Sequence, residues 1–350
     1  MQRITIAPGY DISRVIRGGW QLAGGHGAVD GDQAIADMIA FADAGITTFD
    51  CADIYTGVEE LIGRFRLAYG NQRGAEALSR IRVHTKFVPD LAVLPVISKA
   101  YVESVIDTSR KRLNLDCLDL VQFHWWAYDV PGWLETAGWL KDLHEAGKIG
   151  KISATNFDTD HVEAIIDAGV PFTSLQLQYS LLDRRPEKRM VTLAAEKDFA
   201  LFCYGTVAGG FLSDRWLGQP EPDHPLENRS LTKYKLIIDD LGGWPLFQAL
   251  LSTLRTIADR HQVDIATIAS AAMLTKPGVA AVIVGARNRA HLPSNLAIAD
   301  IRLTEQDHAE IEAILSQAQP LEGDVYTLER DREGRHGSIM KYNLNKGDHQ

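Results

Sequence analysis

Two kinds of pattern alternate along the chain: short runs of apolar and β-branched residues, and longer stretches whose apolar positions recur every three or four residues. The first kind reads as parallel strands covered on both faces, the second as helices with one buried stripe. Taken strand then helix, the pattern predicts Arg14 to Trp20 and Asp32 to Ala44, Thr47 to Asp50 and Val58 to Ala68, Arg82 to Lys86 and Ser98 to Leu113, Asp119 to His124 and Trp133 to Ala146. It continues with Lys151 to Thr155 and Asp160 to Ala168, Ser174 to Gln178 and Lys188 to Lys197, Ala200 to Tyr204 and Gln248 to His261, Val279 to Val284 and Ala290 to Ile298. Gly45, Gly147 and Gly169 each follow a helical stretch where a left-handed cap is wanted.

Eight such units predict the α/β class and a (β/α)8 TIM barrel, with an open doubly wound sheet as the alternative. Residues 1–320 form the expected barrel domain. The polar tail 321–350 either folds back over the barrel mouth or stays loose. Residues 205–247, rich in Gly, Pro and Trp, are too long for a simple connector and read as a functional loop. Extra helices are expected over Ile265 to Lys276 and Thr304 to Ala318.

In such a barrel the chemistry gathers where the strands end. Asp50, Lys86 and His124 close three consecutive apolar runs, ITTFD, IRVHTK and LDLVQFH, and Tyr55 follows Asp50 on the loop above. Each alone has an ordinary structural role open to it: a strand-end Asp, a snorkelling Lys, a satisfied core His, a packing Tyr. Together they suit hydride transfer to a carbonyl, whose oxygen gains charge and needs a proton donor. A tyrosine has a pKa near 10, and an adjacent lysine cation is expected to lower it. Asp50 would hold Lys86 charged, and His124 would donate a hydrogen bond to the substrate oxygen. A barrel hydrolase or isomerase using Asp50 and His124 is a competing reading.

The formal net charge of −10 and the lack of a basic run argue against a nucleic-acid surface. Cys51, Cys117 and Cys203 are odd in number and never spaced as C-x-x-C, so neither a disulfide framework nor a metal site is expected. The opening MQRITIAPGYDISR has no signal-peptide core, and no stretch of about 18 apolar residues occurs. A cytoplasmic protein without membrane contact is the expectation.

These residues also carry a resemblance, over roughly residues 14 to 318, to the aldo-keto reductases. Asp50-Cys51-Ala52-Asp53-Ile54-Tyr55 resembles that family's Asp-x-Ala-x-x-Tyr segment, with Cys51 where Thr is common. His84-Thr85-Lys86 resembles its lysine strand and Gln122-Phe123-His124-Trp125 its histidine strand. The resemblance implies catalysis by Asp50, Tyr55, Lys86 and His124 with NADP(H), NAD(H) remaining open. Thr155, Asn156 and Gln176 would hold the nicotinamide carboxamide, and Tyr204 would stack on its ring. The loop of Gly205, Thr206, Val207, Ala208, Gly209, Gly210 and Leu212 would cover the pyrophosphate with backbone donors. Gly285, Ala286, Arg287, His291 and Asn295 would form the adenosine pocket, with Arg287 on the 2′-phosphate. His291 stands where Arg is frequent and Ser294 where Glu or Gln is frequent, which puts the choice of nucleotide in question.

For the substrate, Trp20 and Trp125 are expected to line the mouth with Tyr55 and His124, while Trp126 points away from Trp125. Aromatic faces, with the Arg and His of residues 330–336 in the tail available, point to a small polar or sugar-like aldehyde or ketone. Oxidation of an alcohol, or a nicotinamide-binding redox sensor with little turnover, are the alternatives.

Overall fold

Every strand predicted from the pattern pairs with its neighbours, and the ring they make has no free edge. The computed structural model describes residues 1–23, 29–286 and 288–344. Its elements begin with β1 (Arg3–Ala7), β2 (Tyr10–Ser13), β3 (Val15–Gly18), α1 (Gly31–Asp43), β4 (Thr48–Asp50), α2 (Val58–Ser79), β5 (Arg82–Phe87), α3 (Lys99–Leu113), β6 (Leu120–Phe123) and α4 (Trp133–Glu145). They continue with β7 (Ile152–Thr155), α5 (Thr159–Asp167), β8 (Phe172–Gln178), α6 (Met190–Glu196) and β9 (Ala200–Tyr204). After these come α7 (Arg229–Leu241), α8 (Gly243–His261), α9 (Ile265–Met273), β10 (Val279–Gly285), α10 (Leu292–Asp300) and α11 (Glu305–Leu315). The barrel runs β10-β3-β4-β5-β6-β7-β8-β9, parallel throughout. The open-sheet alternative is therefore set aside.

Several expected boundaries shift for local reasons. The first barrel strand stops at Gly18, and Trp20 opens a short 3-10 turn instead of ending the strand. There Gly19 N–H donates to the Asp50 carbonyl at 2.7 Å, and a Cβ on Gly19 would meet that same oxygen at 2.7 Å. The chain has to turn inward across the end of β4. The long segment after β9 contains a helix the pattern reading passed over, α7. Asn228 caps it, and Leu231, Tyr234, Ile237, Ile238 and Leu241 are its buried stripe. The last barrel helix begins at Leu292 after a 3-10 turn, Arg289–His291, because Pro293 suits a first turn whose N–H groups go unused.

The hairpin of β1 and β2 was not foreseen. It sends Tyr10 and Ile12 into a cluster with Ile16, Leu120, Phe202, Ala280 and Ala281, which fills the end of the barrel where the strands begin. The His84 ring lies between those of Tyr10 and Phe202, with centroids 6.2 and 5.3 Å away, so the interior is solid.

The segment after α11 crosses the opposite end. Glu329 is fully buried and meets Arg185 through two 3.0 Å bonds, while Arg185 also holds Asp183 at 2.7 and 2.9 Å. Arg330 donates to the carbonyls of Trp125, Trp126 and Asn156. Arg335 and His336 reach Asp240 on α7 at 3.0 and 2.7 Å, and Leu344 N–H reaches Asp90 at 2.8 Å. This strap thus touches the loops after β5, β6, β7 and β8. Among the described residues no helix is long and apolar enough to cross a membrane.

Burial alone would raise the Glu329 pKa, but the charges of Arg185 and then Lys233 outweigh it and bring it from the ordinary 4.5 to about 2. A depressed carboxylate stabilises the folded state above its unfolded pKa and stops doing so as pH falls through the folded one. We therefore expect stability to decline as pH drops from 4.5 toward 2, followed by unfolding at each pH. Glu329→Ala should cost about 3 kcal/mol at neutral pH, read from urea midpoints, because Arg185 loses a partner inside the protein.

Candidate active site

Four strand ends converge on one carboxylate. Asp50, closing β4, accepts from Lys86 Nζ of β5 at 2.6 Å, from Gln122 Nε2 of β6 at 2.8 Å and from Gln176 Nε2 of β8 at 2.6 Å. Lys86 also donates to the Cys51 carbonyl at 2.8 Å. Both Asp50 and Lys86 are buried. Burial works against the lysine cation, but Asp50 and Tyr55 more than offset it and lift its pKa to about 12.

Tyr55 sits on the turn between β4 and α2, its ring 5.0 Å from Lys86 Nζ and 5.1 Å from the Trp20 ring. The expectation that Lys86 lowers the tyrosine pKa overall is corrected here. Burial raises it, and Lys86 recovers only part of that, so the phenol stays above its ordinary 10.0. Tyr55 is therefore a protonated group at neutral pH.

His124 follows β6, its ring Nδ1 3.0 Å from the Thr155 carbonyl. A carbonyl only accepts, so Nδ1 carries the proton. Burial and the nearby Arg330 cation push the ring pKa down to about 3, keeping it neutral. Nε2 is then a bare lone pair, buried and without a partner among the described residues. As placed here His124 is an acceptor, contrary to the donor expected from sequence.

The two tryptophans after His124 also exchange their expected roles. Trp125 is fully buried, with Nε1 donating to the Ala127 and Val130 carbonyls at 2.9 and 3.1 Å and its ring edge-on to Phe123. It belongs to the layer between barrel and helices and cannot touch a substrate. Trp126 lies perpendicular to His124, ring centroids 4.3 Å apart. Alternation along the strand explains this, since positions 122, 124 and 126 share a side.

The residues expected around a nicotinamide are brought together. Thr155 Oγ1 is 3.5 Å from Gln176 Oε1, and the Asn156 amide oxygen accepts from the Tyr204 hydroxyl at 2.8 Å. Lys233 Nζ of α7 lies 5.2 Å from the Tyr204 ring and 5.4 Å from that of Tyr326. In the following loop Gly205 and Gly209 leave space that Tyr234 occupies, while Gly210 has nothing nearby. Ala208, Gly210 and Leu212 give their N–H groups to the carbonyls of Gly205 and Val207, inside the loop. Thr206 is buried against Ser270, and Ala208 and Leu212 are buried as well.

At the far end, Gly285 packs on Gln21, and the Ala286 carbonyl accepts from Arg17. Arg287 lies outside the described residues. His291 is exposed, and Asn295 is buried with Nδ2 lacking a partner among the described residues. An orphaned buried amide at this place fits a bound adenosine group. No group of residues able to hold a metal occurs among the described residues.

Three participants escaped the sequence reading. Gln122 and Trp126 carried a signal, their even spacing with His124. Tyr326, edge-on to His124 with centroids 5.9 Å apart, carried none, while Arg330 was expected only as one of the Arg and His in residues 330–336 near the mouth, and the folded strap gives it its place. Between Trp126, Tyr128 and Asp129 on one side and Arg330, Arg332 and Glu333 on the other lies an open cleft of about 640 Å³.

A family model described as the Aldo/keto reductase family matches residues 14–316. The chain is 27% identical to Aldo-keto reductase YhdN of Bacillus subtilis over 323 residues, covering 90% of this chain and 94% of that protein. It is 24% identical to the NADH-specific methylglyoxal reductase of Escherichia coli, covering 85% and 92%. The structure of the glycerol dehydrogenase AKR11B4 from Gluconobacter oxydans has the same fold, with a TM-score of 0.74 at 22% identity, covering 90% of this chain and 95% of that one. With the family model spanning the whole barrel, this chain belongs to the aldo/keto reductase family of oxidoreductases.

Proposed function

We propose that this oxidoreductase reduces the carbonyl of a small polar or sugar-like aldehyde or ketone with NADP(H), Tyr55 serving as the general acid. The observation that carries the reading is the buried Asp50–Lys86 pair at 2.6 Å with the Tyr55 ring beside it. As charge builds on the carbonyl oxygen, Tyr55 gives up its proton, and the Lys86 cation stabilises the phenolate left behind. Asp50 keeps Lys86 charged and fixed. In the reverse direction the phenolate removes the alcohol proton.

A bound nicotinamide supplies the hydride in reduction and takes it in oxidation. Thr155, Asn156 and Gln176 would hold its carboxamide and Tyr204 its ring. Residues 205–212 would lie over its diphosphate, with Gly285, Ala286, Arg287, His291 and Asn295 around the adenosine. The preference for the 2′-phosphate rests on Arg287, since a guanidinium fork suits a phosphate dianion. Residues 321–344 complete the mouth, with Trp20, Trp126 and Tyr326 as the aromatic wall. Three free cysteines suit a reducing compartment, the cytoplasm.

Tyr55→Phe should lower kcat by about 100-fold or more while leaving NADPH affinity, read from its fluorescence, nearly unchanged. Loss of cofactor binding in the wild type, or undiminished turnover in the variant, defeats the reading. Because the phenol titrates above 10.0, carbonyl reduction should be independent of pH through neutrality and fall only in strong alkali, as a pH–rate profile will show. Arg287→Ala should weaken NADPH roughly 10- to 100-fold and NADH little. Equal losses for both nucleotides remove Arg287 from 2′-phosphate recognition.

A further inference from the structure

A charged hollow lies at the end of the barrel opposite the mouth, outside everything the reductase reading uses. Arg3 of β1, Arg80 just after α2 and Arg82 opening β5 line about 310 Å³ of space with Asp11, Ser79 and Gly9, whose missing side chain leaves one rim open. Three guanidinium groups from three separate elements thus converge, on a chain whose formal net charge is −10. They act on one another: burial holds the Arg3 pKa below its ordinary value, Asp11 opposes that, and Arg82 and Arg80 lower it further. Like charges gathered in one hollow work against folding unless something of opposite sign joins them.

The protein's own carboxylates supply this only in part. Glu76 meets Arg80 in an exposed pair at 3.4 Å, and Asp11 takes the Thr5 hydroxyl at 2.6 Å. Asp119 takes the Val83 N–H at 2.8 Å and lies within electrostatic reach of Arg66 as well as Arg82. Some of the cluster has a local reason. Arg82 Nη1 donates to the Ser79 and Ile81 carbonyls at 2.7 and 3.3 Å, as a cation does at the end of a helix, and the group lies 5.2 Å from the Tyr10 ring. Arg3 donates to Thr47 Oγ1 and to the Asp11 carbonyl. Neither reason reaches Arg82 Nε, which is buried with no partner among the described residues, or the Arg80 fork, whose 3.4 Å contact is its single hydrogen bond among them.

We propose that this hollow binds a phosphate dianion, either inorganic phosphate or the phosphate of a small monoester, between Arg3, Arg80 and Arg82. A carboxylate, with one charge and two oxygens, suits one guanidinium fork. A phosphate carries two charges on three terminal oxygens and can engage three. The space is at the lower end of small-molecule sites, about 300 to 1,000 Å³, so whatever carries the phosphate has to be small. The anion acts as a clip. Arg3 belongs to the hairpin whose Tyr10 and Ile12 plug the barrel, while Arg80 and Arg82 belong to the junction of α2 and β5, so a phosphate bonded to all three holds the plug to the wall. Nothing in this depends on the chemistry at the mouth.

Calorimetric titration of the full chain with inorganic phosphate and with glycerol 3-phosphate tests this, at low salt where exposed charges are least screened. We expect saturable binding with a Kd below about 1 mM for at least one of them. The tighter of the two tells free phosphate from an ester as the ligand. Arg80→Gln, at an exposed position that folding tolerates, should weaken binding about 10-fold by removing a charge-assisted bond, and adding Arg3→Gln should abolish it. Arg287→Ala, at the proposed nucleotide site, should leave it unchanged. Independently, phosphate should slow amide hydrogen exchange in Arg3–Ala7 and Tyr10–Ser13 of the wild type and not of the double variant. No saturable binding of either probe overturns the proposal. So does binding that survives in the double variant, or that Arg287→Ala removes.

Discussion

The Asp50 carboxylate ties the ends of β4, β5, β6 and β8 into one unit, taking a lysine and two glutamine donors on its two oxygens. A carboxylate removed from water is expensive unless its lone pairs are filled, and here they are. The cost falls on folding and the benefit appears at the site. Lys86 remains charged where burial would otherwise neutralise it, in the position that Tyr55 needs. Because strands, not loops, supply all four residues, little rearrangement is required before chemistry.

The second constraint comes from the far end of the chain. Glu329 and Arg185 form a buried pair that fixes the strap to the loop after β8, and Arg330, one residue on, stacks 3.9 Å over Tyr128 and caps three carbonyls of the loops after β6 and β7. The strap therefore acts on the site twice. It sets the backbone that aims Trp126, and its guanidinium helps keep His124 uncharged. Tyr326 adopts a left-handed conformation, φ 59°, to bring its ring against His124. Such a conformation in a non-glycine residue is sustained only when surrounding contacts over-determine it.

Much of this was legible before any coordinates. Strands buried on both faces leave an unbroken apolar signature, and Gly45, Gly147 and Gly169 end their helices with φ of 95°, 76° and 77° as their placement implied. Asp50, Lys86 and His124 could be found because barrel strands point their last residues at one place. The hairpin was missed because Arg3 to Ser13 is only half-covered and too short to stand out. Helix α7 was hidden by the glycines and prolines that precede it. The two tryptophans were read as pointing opposite ways, but the wrong one was placed on the side of His124, which period two gives to Trp126. The tail's Arg and His were expected near the mouth, but the partner of Arg330 could not be read locally, since Trp125 is 205 positions away. The direction of the Tyr55 shift was likewise beyond sequence, which shows the neighbouring cation but not how much water the fold removes.

The column of Tyr10, His84 and Phe202, stoppered by the N-terminal hairpin, gives the barrel a blind floor. Whatever enters must leave by the same doorway, the one spanned by the strap and by α7. Reactant and product thus share a single corridor, and the crossbar over it governs both arrival and departure.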